Sequence, residues 1–402
     1  ILSMLAEEML DAAEQLPASQ PEVGRIHKYI ALAYAAKIKL YQAYQQDETT
    51  HAVTSINKEL LREVVSLCDQ VTASNRYGLL DDFQGLDLVA NENGKESVFA
   101  IQYSMNDGTE SAGRINWSNL LNSPGGGSPY GGDGFFLPSQ DLINAYQTDA
   151  NGLPDFNYQS KSDYSWAVLN NGVYTLQNTT PNVDPRLDFV VGRPTITWKT
   201  YPDKPCEGWV RDKETYGYNC AKRFWVSPES SDMFNGWPWG ASQLNWQIIR
   251  YADILLWKAE ALIELNEGNG LETARDLINQ IRNRARNSAY VKDFNDHSKY
   301  AANYLVNPYP ADVWNQDYAR QALRWETRLE KALEGERFFD LVRWGIVETT
   351  MNKYITAESD NRIYYANAHF TGGKDEYYPV PNNQYGFSGG KYVQNPGYAP
   401  FN

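Results

Sequence analysis

No stretch of about 18 consecutive apolar residues occurs in the chain, so no segment is long enough to cross a membrane as a helix. Positive charge is scarce as well. Lys and Arg number 36 against 50 Asp and Glu, giving a net charge of -14 at pH 7. That balance leaves no basic stripe of the kind a nucleic-acid surface requires. It also disfavours polyanionic ligands, a local basic cleft apart. Histidine is confined to His27, His51, His297 and His369, which fall in segments of different character. With neither HExxH nor GxSxG present, the zinc-peptidase and serine-hydrolase patterns are missing. The glycine-rich piece at 125–132 lacks the Gly-Lys-Ser/Thr ending of a phosphate loop and reads as a mobile surface loop, with Tyr130 as a contact. No motif singles out a pair of carboxylates at glycosidase separation. No catalytic constellation is therefore read, and neither enzyme activity nor a cofactor is expected.

Cysteine is rare, with three in 402 residues. Cys68 falls in the helical pattern of Ile56, Leu60, Val64, Leu67 and Val71 and reads as a small core residue. Cys206 and Cys220 bracket a polar, aromatic segment. On an oxidising cell surface that pair would form a disulfide, and in a reducing compartment it would stay as two thiols. The spacing is not CxxC and no paired histidines back it, so zinc is the weaker alternative. Asp149, Asn151 and Asp155 carry the oxygens of a calcium turn but depart from EF-hand spacing. An ordinary Asx turn is the competing reading there.

Helical periodicity is abundant by contrast. Apolar positions at Leu2, Leu5, Met9, Ala12 and Leu16 predict a helix over 1–16, stopped at Pro17, with further helices over 25–44 and 54–71. The mix of small and large residues resembles a tetratricopeptide packing surface, where alanine lets a neighbouring helix approach. Residues 247–286 predict a helical hairpin of the same type, turned at 266–270. The expected organisation is four parts: tetratricopeptide-like helices at 1–95, a loop-rich ligand-binding region at 96–245, more such helices at 246–345, and an extended wrap at 346–402. Solenoid units need neighbours to bury their faces, so the two helical parts should pack together in space.

The middle part has its own character. A strand is predicted over 96–103, a short capped helix over 139–146 and another strand over 187–193, with Gly, Pro, Ser, Asn and aromatics between. Of the twelve tryptophans, eight fall between Trp117 and Trp246. Loops run over surfaces and commonly carry function. From the composition of their flanks, Trp117, Tyr130, Trp166, Trp209, Trp225 and Trp237 are the candidate stacking platforms. About half of the eight tryptophans are expected in the core, because a domain poor in regular sheet still needs large side chains inside.

Residues 320–345 hold an unusual helix. Ala322, Trp325, Leu329, Ala332 and Leu333 form one apolar stripe, while Arg320, Arg324 and Arg328 follow at i,i+4 on one side and Glu326, Glu330 and Glu334 on the other. Each flank repels itself by a few tenths of a kcal/mol per pair. Such a helix predicts neighbours of opposite charge on both sides. Beyond it, Arg337 and Asp340 stand at i,i+3.

The run from Arg324-Trp325-Glu326 through Leu333-Glu334-Gly335-Glu336-Arg337-Phe338-Phe339-Asp340 to Arg343-Trp344-Gly345 resembles the signature of the SusD/RagB family. ESVFAIQY ending at Tyr103, DPRLDF from Asp184, RYADILLWKAEAL from Arg250, INQIRNRA from Ile278, YPVP from Tyr378 and QNPGY from Gln394 agree in the family's order. The resemblance implies a surface nutrient-binding lipoprotein of the Bacteroidetes outer membrane, lipid-anchored on the extracellular face. It implies capture of an oligosaccharide and delivery to a SusC-like TonB-dependent transporter. A peptide cargo, as in the RagB branch, is the alternative, and a surface glycosidase the remote one. Family members begin with an export signal, an acylated cysteine and further helical sequence, so a chain opening at Ile1 inside an amphipathic helix is expected to lack that segment.

Overall fold

Short side chains set the spacing of the first helices. Helix α1 (Leu2–Gln15) ends ahead of Pro17 and packs on α2 (Lys28–Ala43). Ala31, Ala33, Ala35, Ala36 and Ala43 of α2 are buried, so neighbouring backbones come close. A ribbon of β1 (Tyr44–Gln46) and β2 (Val53–Ile56) turns the chain into α3 (Lys58–Ala73). Asn57 caps α3, accepting from the amides of Glu59 and Leu60 at 3.0 and 3.2 Å, two donors the helix itself leaves orphaned. Cys68 is fully buried here. The computed structural model describes residues 1–401 except 111, 112, 119, 120, 123, 126, 172, 177–180, 206, 207 and 238, with backbone alone at 168–170, 173, 174 and 176.

After α3 the chain makes a long excursion. Its regular elements are β3 (Ser97–Ile101), α4 (Gln140–Ala145), the hairpin β4 (Ala167–Asn170) and β5 (Val173–Leu176), α5 (Arg186–Val190), β6 (Val191–Gly192), α6 (Lys213–Tyr216), β7 (Cys220–Ala221) and β8 (Trp246–Arg250). The first and last of these pair antiparallel, Ser97 opposite Arg250 and Ile101 opposite Trp246, and so close the excursion at its base. Ser139 caps α4 through the Leu142 amide at 3.2 Å, as its sequence indicates. The strand expected over 187–193 is mostly helix. Asp184 accepts from the Arg186 amide at 3.0 Å and Pro185 sits at φ -61°, ψ -22°, which starts a helical turn; only Val191 and Gly192 remain as strand, paired with β7.

The returning chain forms α7 (Tyr251–Leu265) and α8 (Gly270–Asn287), the predicted hairpin, turned where Asn266 adopts φ +51°. Helix α7 packs on α3, α8 and α9 (Gln316–Glu330), so the helices before and after the excursion form one stack. Helices α10 (Arg337–Arg343), α11 (Val347–Glu358) and α12 (Asn382–Phe387) complete the chain. The twelve-residue α11 departs from the extended wrap expected after residue 346. Averaged over the C-terminal part, proline, glycine and asparagine hid it, since among its own residues only Asn352 is of that kind.

The charged flanks of α9 find opposite partners, except at Arg324, which makes no ion pair among the described residues and lies 5.3 Å from the Trp344 ring. Arg320 donates to both oxygens of Glu264 at 2.7 and 2.9 Å, and Arg328 to Asp141 at 2.6 Å and the Tyr158 hydroxyl at 2.9 Å. The acidic flank lies inside. Glu326 and Glu330 are fully buried. Arg186 bridges Asp184 (2.7 Å), Glu326 (2.6 Å) and Glu330 (3.2 Å), while Arg282 reaches Glu326 at 3.0 Å and Arg284 reaches Glu96 at 3.0 Å. Arg250 joins Glu96, Glu330 and Glu334 at 2.8, 3.0 and 2.7 Å, and Arg223 joins Asp87 and Glu334, both at 3.1 Å. Isolated charges at such depth would each cost several kcal/mol, so their alternation is what makes burial tolerable. The network ties helices α8 and α9 to the excursion. Past α9, Asp340 accepts from Arg343 at 3.0 Å and not from Arg337, the neighbour its spacing indicated.

Candidate functional site

The excursion holds a buried aromatic cluster. In it Tyr130, Trp198, Trp209 and Trp225 pack together with ring centroids 4.8 to 5.9 Å apart, fully or nearly buried. Buried phenol and indole need partners, and here Trp198 Nε1 donates to the Tyr130 hydroxyl at 2.9 Å, which donates to the Val226 carbonyl at 2.6 Å. Trp166 lies elsewhere, also buried, with Nε1 on the Pro194 carbonyl at 2.9 Å and its ring 4.7 Å from the Arg193 guanidinium. Arg193 is paired with Asp188 at 2.8 Å, so Trp166 covers a buried ion pair.

These positions correct part of the expected site. Tyr130, Trp166, Trp209 and Trp225 present no open face to solvent and serve as core. The glycine-rich piece is packed as well: Gly125 and Gly131 form an antiparallel bridge, and a side chain at Gly127 would stand 2.1 Å from the Gly208 carbonyl oxygen. Of the eight tryptophans in this stretch, Trp166, Trp198, Trp209 and Trp225 are buried, which is the expected half.

Trp117 and Trp237 are 47% and 63% exposed, Trp239 is 52% exposed, and Phe135 and Phe136 are exposed elsewhere in the excursion. Trp117 follows Asn116, whose amide donates to the Ser242 carbonyl at 2.8 Å. Ser242 also bridges Met233, and the Phe234 amide donates to Ala241, so 233–242 is a hairpin-like turn that carries Trp237 and Trp239. That turn rests on the buried cluster. Gly240 has φ +73° and sits so close that a Cβ there would lie 2.7 Å from Trp225 and 3.4 Å from Tyr130. On the other side, a Cβ on Gly131 would stand 3.8 Å from Trp239. The exposed rings of Trp237 and Trp239, carried above the buried aromatic cluster, form a ledge with Trp117 on the neighbouring strand-like segment. Trp239 was missed as a candidate; its position two residues from Trp237 in the 236–240 run was the available signal.

Polar groups surround the ledge. Arg211 pairs with Asp133 at 2.8 Å, and Asp232 accepts from Gln243 at 2.6 Å. At the base of the turn Glu92 accepts from the Asn245 amide at 2.5 Å, and Asn245 accepts in turn from the Tyr103 amide at 2.7 Å. Burial pushes the Glu92 carboxyl up to about 7, with the Asn245 amide pulling it down and the Asp232 charge adding to the rise. A sugar ring has an apolar C–H face that stacks on Trp or Phe, and hydroxyls that need such amides and carboxylates.

The other singled-out residues separate cleanly. Asp149 accepts from the amides of Asn151 and Leu153 at 2.8 and 2.9 Å, the geometry of an Asx turn, and Asp155 is paired with Lys161. Among the described residues no group of three or more His, Cys, Asp or Glu is placed to hold a metal. Cys220 is buried in β7. Its proposed partner Cys206 lies outside the described residues.

Stacked helical hairpins bearing a loop-rich aromatic face define a class of scaffolded binding protein. The chain belongs to the SusD family, which matches it over residues 95–398. Among solved structures, surface glycan-binding protein A from Bacteroides fluxus has a TM-score of 0.63 at 19% identity, over 99% of this chain and 69% of that one. A SusD-like carbohydrate-binding protein from Bacteroides fragilis has a TM-score of 0.61 at 21% identity, over 87% of this chain and 59% of that one. A laminarin-binding SusD-like protein has a TM-score of 0.53 at 20% identity, over 99% and 68%. At these identities the likeness is one of fold. The chain spans 60% and 64% of the length of two further SusD-like structures, from Bacteroides fragilis and Bacteroides vulgatus. No curated protein matches the chain.

Proposed function

We propose that this chain captures glycan on the extracellular face of the outer membrane, as part of a lipid-anchored protein, and delivers it to a SusC-like TonB-dependent transporter. The observation that carries the reading is the ledge of Trp117, Trp237 and Trp239, exposed side chains held on a buried aromatic base. Large aromatics exposed together on a soluble surface mark a place where something binds. Family membership and the carbohydrate ligands named for two solved relatives support a sugar as that ligand. Rings supply the stacking faces, and Asp133, Arg211, Asp232 and Gln243 supply hydroxyl partners. Binding of this kind needs no turnover, and the stack of helices serves as the base that meets the transporter.

Electrophoresis of the native protein through gels cast with laminarin, xyloglucan and unrelated polysaccharides tests the ligand class. Retardation by at least one polysaccharide, with no shortened product released, is expected. Unchanged mobility in every gel contradicts the reading, above all if a peptide library is retained instead. Affinity purification from detergent-solubilised envelopes should recover a TonB-dependent transporter; its repeated absence counts against the delivery step.

A further inference from the structure

A cavity of about 940 Å³ opens beside the last turn of α2, between the start of α1, β1, α10 and the segment 375–378. None of its lining residues belongs to the ledge. Its walls are rings: Tyr41 of α2, Phe338 and Phe339 of α10, and Tyr377, Tyr378 and Tyr398 of the C-terminal part. Phe339, Tyr377 and Tyr378 are 59%, 48% and 91% exposed. Single exposed rings need no explanation, but three around one concavity mark a place where something binds. The volume lies in the upper part of the range of small-molecule sites.

The charge left over on these walls is negative. Arg343, the one cation among the lining residues, is spent on Glu260 and Asp340. The two lining carboxylates are not matched in the same way. Asp375 accepts from the Thr371 amide at 2.7 Å and meets Lys374 only at 3.6 Å, while Glu376 accepts from the Gly373 amide at 3.0 Å and makes no ion pair among the described residues. Two of the rings already lie beside cations of the chain itself, Arg343 at 5.0 Å from Tyr41 and Lys374 at 5.2 Å from Tyr398. Tyr377 packs against the His51 ring at 4.8 Å. Phe339 and Tyr378, the two most exposed of the six, have no Lys or Arg over their faces among the described residues.

We propose that this cavity is a second ligand site, separate from the ledge, that takes a small organic cation: a primary ammonium group on an aromatic or aliphatic body. The negative faces of the open rings attract the ammonium, most strongly where water is partly excluded, and the Asp375 and Glu376 carboxylates add to that attraction from the same walls. The apolar body lies against Phe338 and Val342, deeper in the cavity than the exposed Tyr378. A neutral ligand of the same shape would gain the apolar contacts alone. This site does not rest on the glycan reading of the ledge.

Calorimetric titration with phenethylamine, its neutral analogue 2-phenylethanol and the peptide-borne amine Nα-acetyl-lysine amide, on wild type, Asp375→Asn/Glu376→Gln, Tyr378→Ala and Trp237→Ala, tests the proposal. Saturable phenethylamine binding is expected, about tenfold tighter than 2-phenylethanol. The double variant should lose most of that difference, Tyr378→Ala should weaken binding severalfold, and Trp237→Ala should leave it unchanged. Tyr378 is almost wholly exposed, so its variant keeps the wild-type melting temperature and reads contact alone. Absence of saturable phenethylamine binding, an affinity within twofold of that for 2-phenylethanol, or a double variant within twofold of wild type overturns the proposal. Binding of the lysine amide about tenfold tighter than phenethylamine overturns its small-molecule part and makes the cavity a dock for a basic side chain of another protein. Retention in polysaccharide gels reads the ledge independently, so failure at one site is distinguishable from failure at the other.

Discussion

Glu330 is fully buried and accepts from Arg186, Arg250 and Arg284. Burial alone would raise its pKa, but those three guanidinium groups outweigh it and hold the carboxyl down at about 2. A carboxyl whose folded pKa is depressed adds stability above its unfolded value, here 4.5, and that stability disappears as pH falls from there through about 2. Glu330→Gln keeps the shape and removes the charge that three buried guanidinium groups share, leaving Arg186, Arg250 and Arg284 one carboxylate short. Urea unfolding at pH 7 should register a loss of about 3–5 kcal/mol, and the acid-induced fall of stability should be shallower in the variant. An unchanged midpoint would contradict the network's role. The sequence showed Glu326, Glu330 and Glu334 as a self-repelling row and so called for partners. It did not name Arg186 or Arg250, because they lie 144 and 80 residues away and only the closed excursion brings them near. Single rings were less legible still. Trp209 and Trp237 sit in similarly loop-like flanks, yet one is core and the other surface, since local composition carries no information on what packs above a ring.

At the scale of elements, strong periodicity was readable and weak periodicity was not. The α7–α8 hairpin and α1 follow their apolar spacing, while α5 was mistaken for strand because its helical start depends on Asp184 and Pro185, outside the apolar pattern. The turn at 233–242 had no periodic signal at all. Its geometry hinges on Gly240, which combines φ +73° with a position where a Cβ would stand 2.7 Å from Trp225. Gly240→Ala would add both backbone strain and a clash against a packed ring, at about 1–3 kcal/mol. Thermal melting should show that loss. Because the turn carries Trp237 and Trp239, polysaccharide retention should weaken with it, whereas an alanine accepted without loss of stability would mean that the turn is looser than its contacts imply.

Across the whole molecule the helices and the excursion divide the work. Buried charge and α9 fix one to the other, and the aromatic region of the excursion packs some rings into a core and leaves others exposed. This division was legible from the sequence as helical parts around an aromatic middle. Which rings are exposed was legible only for Trp117 and Trp237. The central claim is that the open rings hold glycan, and it is tested most directly by comparing wild type with Trp237→Ala/Trp239→Ala for affinity toward the polysaccharide that retards the native protein most. Each stacked ring should contribute about 0.5–1.5 kcal/mol, so losing two should weaken binding about tenfold or more, with the melting temperature nearly unchanged because both side chains are more than half exposed. An affinity equal to wild type in the double variant would contradict the account.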